Sequence, residues 1–404
     1  MSYRLSRTLL RAACIAAALL VAGPVPGAGA EPGLPEGESV GVLLTRLQGL
    51  YQKAEEAAEA YNATDVALRA GEAEERLRSA DLGKARTALD SERALAGRLA
   101  REQYQASRGL SPYARMLLAG NPRAALDQRR LAAREGARRA AVLARLARGE
   151  READARALRA REALDARQTL AARQKGHKDE VAAQLREVER VLAALTPAQL
   201  TRLGAQEAKN TAAAQRDLVD SGRLPTRTGT PTAAGGAALT YAAAQIGKPY
   251  VWGAEGPGSF DCSGLTSQAW AHAGRVIPRT SQEQWARLPK VPLDELRPGD
   301  LVVYFPKATH VGLYVGDGKV IQAPRPGARV KVSPIAANPL LGAVRPDPDG
   351  APLAEFTPPA LPQTPAAEAG GDTGYSAEEA PADEAAADEA PADEAPADEA
   401  TSAR

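Results

Sequence analysis

Cysteine is nearly absent from this chain. Only Cys14 and Cys262 occur among 404 residues, and Cys14 lies inside an apolar N-terminal run, so no internal disulfide framework is available. Histidine is almost as scarce, with His177, His272 and His310 alone. One remaining cysteine and three scattered histidines cannot close a tetrahedral zinc site, so neither a metal nor another cofactor is expected. Aromatic residues make up 4% of the chain. Trp252, Trp270 and Trp285 fall in one short stretch, and a compact core is expected there. The formal net charge of +1 supplies no global basic field for nucleic acid. Long apolar runs are missing too: Ala12 to Ala22 is too short for a stable membrane span.

That short run follows Arg4, Arg7 and Arg11 and precedes Ala28-Gly29-Ala30. Cationic start, apolar centre and small residues spell an export signal over 1–30, which predicts a secreted, extracellular or cell-wall protein. Residues 39–204 are Ala, Arg, Glu and Leu with almost no strand formers. Leu43, Leu47, Leu50, Ala54, Ala57, Tyr61, Thr64 and Leu68 step by four and three, as do Val181, Leu185, Val188, Leu192 and Leu195. A 3.5-residue period is a coiled-coil seam. Gly109, Pro112, Gly120 and Pro122 interrupt it, so the spacing predicts a long antiparallel helical hairpin with Tyr113 to Leu118 as an apolar tip helix. A solvated spacer is the plainer alternative, but Met116, Leu117 and Leu118 at the tip ask for a partner. Residues 205–236, with Pro225, Pro231, Gly235 and Gly236, read as a linker. Residues 237–346 have globular composition. Residues 347–404 turn to Pro, Ala, Asp and Glu, with Pro-Ala-Asp-Glu-Ala recurring from Pro381, Pro391 and Pro396. That composition predicts a disordered acidic tail.

Within 237–346 a short helix is expected first, then an extended segment at Tyr250 and Val251. A Gly-rich loop leads to Asp261-Cys262-Ser263 and a second helix. Strands follow over Leu301 to Phe305, His310 to Val315 and Lys319 to Ala323, the last two joined by Gly316-Asp317-Gly318. Helix first and antiparallel strands after make an α+β domain. A cysteine at a helix N-terminus has its thiolate stabilised by the dipole and by free N–H groups. His310 opens a strand and is the candidate base. Gln322, on the paired strand, falls opposite or diagonal to it, where its amide oxygen can fix the imidazole. Cys262, His310 and Gln322 thus offer the three parts of a cysteine–histidine–polar triad. His272 lies in the helix that Cys262 begins, about 15 Å along its axis, too far to act as base.

The motifs Tyr250-Val251-Trp252-Gly253, Phe260-Asp261-Cys262-Ser263-Gly264-Leu265, Pro278-Arg279-Thr280-Ser281-Gln282, Leu296-Arg297-Pro298-Gly299-Asp300-Leu301 and His310-Val311-Gly312-Leu313-Tyr314-Val315-Gly316 resemble the NlpC/p60 family of bacterial cell-wall cysteine peptidases. The resemblance implies a reduced papain-like fold and cleavage of peptidoglycan stem peptides, most often between D-γ-glutamate and meso-diaminopimelate. It also implies Cys262 as nucleophile, His310 as base and Tyr250 near the oxyanion. Asp261 and Ser263 would recognise a free amine, and Arg279 beside them favours a polar peptide. One departure is plain: the family's third residue is usually histidine, and here it is Gln322, which predicts a working but slower enzyme or a wall-binding adaptor without activity. An acyltransferase on the same fold would need a long apolar cleft. The helical region resembles the N-terminal parts of secreted actinobacterial members. In such relatives it restrains the enzyme or docks it to a membrane division-complex protein.

Overall fold

The computed structural model describes residues 39–106, 111, 114, 117, 118, 121–225 and 229–361. The expected export signal, the acidic repeats and most of the expected tip helix lie outside the described residues.

Two long helices come first, α1 (Val40–Ala106) and α2 (Pro122–Ala193). In α1 the many Ala, Leu, Glu and Arg residues and the absence of proline outweigh the cost of its five glycines. Asn121 starts α2 by accepting the Ala124 N–H at 2.8 Å, with Pro122 at the first position. The pairing is antiparallel: Asp65 bonds Gln174 at 2.7 Å and Glu92 bonds Arg145 at 3.2 Å. As expected from the spacing, Ala57 meets Val181 along the seam, and Ala58 joins them.

The chain from 205 onward is not the linker that its composition suggested. Thr196 forms a reciprocal cap with Gln199, and Pro197 begins a third helix, α3 (Pro197–Asp220). Leu203 is fully buried, and α3 packs on α1. Leu218, at its other end, joins the apolar cluster of the sheet domain with Val302, Tyr304, Tyr314 and Val320. Gln215 adds bonds to the Gly318 carbonyl and the Ala336 N–H, at 3.0 and 3.1 Å. The helix is therefore fixed at both ends by burial, which outweighs the local polarity that had read as linker.

The second half holds α4 (Ala233–Ala243), α5 (Cys262–His272), α6 (Ser281–Arg287) and strands β1 (Lys290–Val291), β2 (Leu301–Tyr304), β3 (His310–Gly316), β4 (Lys319–Gln322), β5 (Lys331–Pro334) and β6 (Leu340–Val344). The strands form one antiparallel sheet in the order β1-β6-β2-β3-β4-β5. Phe260, Leu265 and Trp270 pack with Leu301, Val303, Val311, Leu313 and Ile321 in the main core. This is the expected α+β papain-like arrangement preceded by a long antiparallel coiled-coil hairpin.

The domain's boundaries are wider than 237–346. Thr232 caps α4 and pairs with Pro352. Arg297 holds Asp347 through its carbonyl at 2.8 Å and its carboxylate at 3.0 Å. Phe356 and Leu361 pack on the main core. Residues 347–361 thus belong to the folded domain, because two apolar side chains and a buried aspartate anchor them.

Candidate active site

Asp261 determines where α5 begins. Its Oδ1 accepts the Gly264 N–H at 2.6 Å, a strong N-cap. Gly264 is required for a second reason: a Cβ there would lie 2.2 Å from the Ala254 carbonyl oxygen. Cys262 consequently stands at the first turn of α5, with its side chain 3% exposed. His310 is the first residue of β3, and its Nε2 lies 2.6 Å from Gln322 Oε1. The register pairs Leu313 with Ile321 and Tyr314 with Val320, which sets His310 and Gln322 on a diagonal, one of the two placements expected. A carbonyl oxygen only accepts, so Nε2 carries the hydrogen and Nδ1 is left to face the pocket.

The other expected residues cluster here. Arg279 donates to Asp261 at 2.6 and 3.1 Å and to the Ser263 hydroxyl at 2.8 Å. Glu255 lies 3.2 Å from its Nε. Burial works against the Arg279 charge, but Asp261 and then Glu59 outweigh it and hold the guanidinium protonated. Tyr250 is buried, and burial together with the charges of Cys262 and Asp261 pushes its phenol well up. His272, by contrast, stacks against Tyr241 with ring centroids 4.4 Å apart. Among the described residues no group of His, Cys, Asp and Glu could hold a metal ion.

Sequence reasoning missed that α1 enters this pocket. Glu59 Oε1 accepts the Ser263 hydroxyl at 2.7 Å and lies 3.6 Å from Cys262 Sγ. Its Oε2 accepts the Ser281 N–H at 3.1 Å. One turn earlier, Glu55 Oε1 lies 3.4 Å from His310 Nδ1, close enough for an ion pair but not aligned for a hydrogen bond. One turn later, Asn62 donates to Asp261 at 3.0 Å. Tyr61 sets its ring edge-on to Trp252 at 5.0 Å, and Lys307 reaches Glu56 at 3.0 Å. Residues one helical turn apart are neighbours on one helix face, so nucleophile and base line the same pocket beneath a single stripe of α1. The signal was present in the chain: Glu55, Glu59 and Asn62 also step by four and three, beside the apolar seam.

Three groups change their acidity under this cover. Burial, then the charges of Glu59 and Asp261, push the Cys262 thiol well above its usual range. Burial, then Asp261, push Glu59 up to about 7. Burial alone would lower His310, but the charge of Glu55 and its contact overcome that and raise it. A thiol held protonated is a poor nucleophile, so the covered site is chemically quiet as well as sterically filled.

Residues 247–341 match the NlpC/P60 family. A probable endopeptidase of Corynebacterium glutamicum is 50% identical over 100 residues, 24% of this chain and 48% of the relative. The chain thus spans about half the length of that curated relative. The solved NlpC/p60 domain of the peptidoglycan hydrolase SagA is 34% identical, covering 28% of this chain and 97% of that domain, with a TM-score of 0.26. RipD of Mycobacterium tuberculosis, described as a non-catalytic NlpC/p60 domain protein adapted to peptidoglycan binding, is 33% identical over 28% of this chain and 96% of its own, also with a TM-score of 0.26.

Proposed function

The chain belongs to the NlpC/P60 family, and from that premise we propose that it is an exported cysteine endopeptidase of peptidoglycan stem peptides, held shut by its own first helix. The observation that carries the proposal is the pocket itself: Cys262 at a helix start and His310 bonded to Gln322, each touched by its own carboxylate from α1.

With α1 withdrawn, Cys262 Sγ attacks the scissile carbonyl carbon. The Cys262 backbone N–H at the start of α5, helped by Tyr250, stabilises the oxyanion. His310 passes the proton to the departing amine, and water then releases the acyl group by the reverse transfer. Gln322 keeps the imidazole aimed throughout.

The contacts of α1 support a substrate of matching polarity. Asn62 presents N–H groups to Asp261, where a free amine would bind. Glu59 places a carboxylate between the Ser263 hydroxyl and the Ser281 N–H. A peptide carrying an amine and, close by, a free carboxylate fits both. L-alanyl-γ-D-glutamate has that pattern, which favours cleavage between D-γ-glutamate and meso-diaminopimelate. The outer hairpin, with Leu117 and Leu118 exposed, is the place for a membrane division-complex partner.

The test is digestion of purified wall with mass spectrometry of the fragments, run on the full chain opened by Glu55→Lys with Glu59→Lys and on that same chain carrying Cys262→Ala. Fragments ending in γ-glutamate, lost in Cys262→Ala, are expected. Equal release by both chains would remove Cys262 from the mechanism. No release even with α1 displaced would leave the wall-binding adaptor as the reading.

A further inference from the structure

We propose that the seating of α1 on the active site is a proton-linked latch: the closed state takes up a proton at the Cys262–His310 pair, so acid holds the arm down and rising pH lets it go. This rests on the restraint proposed above and specifies how it is regulated.

The argument is geometric. Gln322 fixes the hydrogen of His310 on Nε2. In the neutral ring Nδ1 is then a lone pair, and what it faces is Glu55 Oε1 at 3.4 Å. Two electron pairs would confront each other in a buried site. Glu55 Oε2 and His310 Nδ1 are both buried without a hydrogen bond among the described residues, so no such bond there offsets that repulsion. A proton on Nδ1 turns the confrontation into an ion pair. At the neighbouring position Glu59 Oε1 faces Cys262 Sγ at 3.6 Å, which suits a thiol that donates and not a thiolate. The closed pocket therefore holds a thiol and an imidazolium. The reactive pair of an open cysteine peptidase is a thiolate and an imidazolium, one proton fewer.

The surrounding charges agree. From α1 come Glu55, Glu59 and the neutral Asn62. From the catalytic domain come Asp261 with its partner Arg279, Cys262, the phenol of Tyr250, Gln322 and the ring of Tyr304, centred 5.6 Å from His310. Glu255 adds a fourth carboxylate against the Arg279 guanidinium, and the cation that α1 brings, Arg69, lies 3.6 Å from Glu255, ten residues beyond Glu59 on the helix. Burial and Asp261 raise Glu59 to about 7 from its ordinary 4.5, so closure weakens between those values as pH rises. His310 is raised above its ordinary 6.5 despite burial, through Glu55. Against a free imidazole this favours closure fully below 6.5 and is lost as pH climbs through the raised value, while against the open ion pair the proton that closure takes up sits on Cys262. The Cys262 thiol is raised as well. All three act in the same direction.

The decisive experiment follows closure by hydrogen exchange of peptides spanning 51–62 and 251–265 in the full chain, from pH 5.5 to 8.5, corrected for intrinsic exchange. Protection is expected to fall by up to about tenfold per pH unit for each proton taken up. Glu55→Gln separates the latch from an ordinary ion pair. Its amide can donate to neutral Nδ1, so the Glu59 linkage, spent by about pH 7, remains while the His310 one is removed, and this variant should be better protected than the parent at pH 8.5. Glu55→Lys with Glu59→Lys provides the open reference, and wall digestion by the same chains should mirror the exchange. Protection that does not change with pH, or a Glu55→Gln arm as open as the double lysine variant, overturns the latch and leaves the restraint standing. A parent no better protected than the double lysine variant at any pH overturns the restraint itself, and the latch with it.

Discussion

The two ends of the helical hairpin share a composition and differ in what they cover. At the base Leu43, Leu44, Leu47 and Tyr51 are buried, followed by Glu55, Glu59 and Asn62. Farther out, Leu77, Leu126, Leu131, Leu143 and Leu158 are each more than half exposed. An Ala-rich seam buries little area per turn, so the outer arm is held by helix propensity and one shallow interface. The base gains a second interface, because α3 and the catalytic pocket both pack against it. The same seven-residue pattern therefore builds a lever at one end and a plug at the other.

That contrast can be broken most forcefully at the plug. Glu55→Lys with Glu59→Lys sets two cations beside Arg279 and His310. Unpairing a buried charge costs about 3–5 kcal/mol, so wall digestion should rise by at least about tenfold. Next in size is the base core: Leu47→Ala should cost about 2–5 kcal/mol, read as the loss of exchange protection in residues 40–51. Tyr61→Ala removes the ring contact to Trp252, worth about 0.5–1.5 kcal/mol beyond its area, and should open the site several-fold without touching a charge. Smallest is the outer arm, where Leu143→Ala should change stability by within about 0.5 kcal/mol in thermal unfolding. If Leu143→Ala opened the site as far as Tyr61→Ala does, the division into lever and plug would be wrong.

Much of the catalytic half was legible because its signals are local. Asp261 caps the helix that Cys262 begins, and the Gly316-Asp317-Gly318 turn sets the diagonal between His310 and Gln322. Strands β5 and β6 escaped because Lys331 to Pro334 and Leu340 to Val344 are short, and their places depend on partners distant in sequence. The part of α3 after 204 reads as linker because Leu218 is its one buried apolar anchor among polar residues, while Leu203 falls within the helical region. The role of Glu55, Glu59 and Asn62 was invisible for a stronger reason. On a charged helix a polar stripe reads as solvated, and only contact across some two hundred residues distinguishes a plug from a surface. The outer fold could be read from periodicity, whereas the contact that silences the site could not.

Covering of Cys262 by α1 is the centre of the account, and the rate at which iodoacetamide alkylates that thiol at pH 6 tests it most directly. The parent chain should label at least about tenfold more slowly than the Glu55→Lys, Glu59→Lys chain, since closure both hides the sulfur and keeps it protonated. Equal labelling rates in the two chains would contradict it.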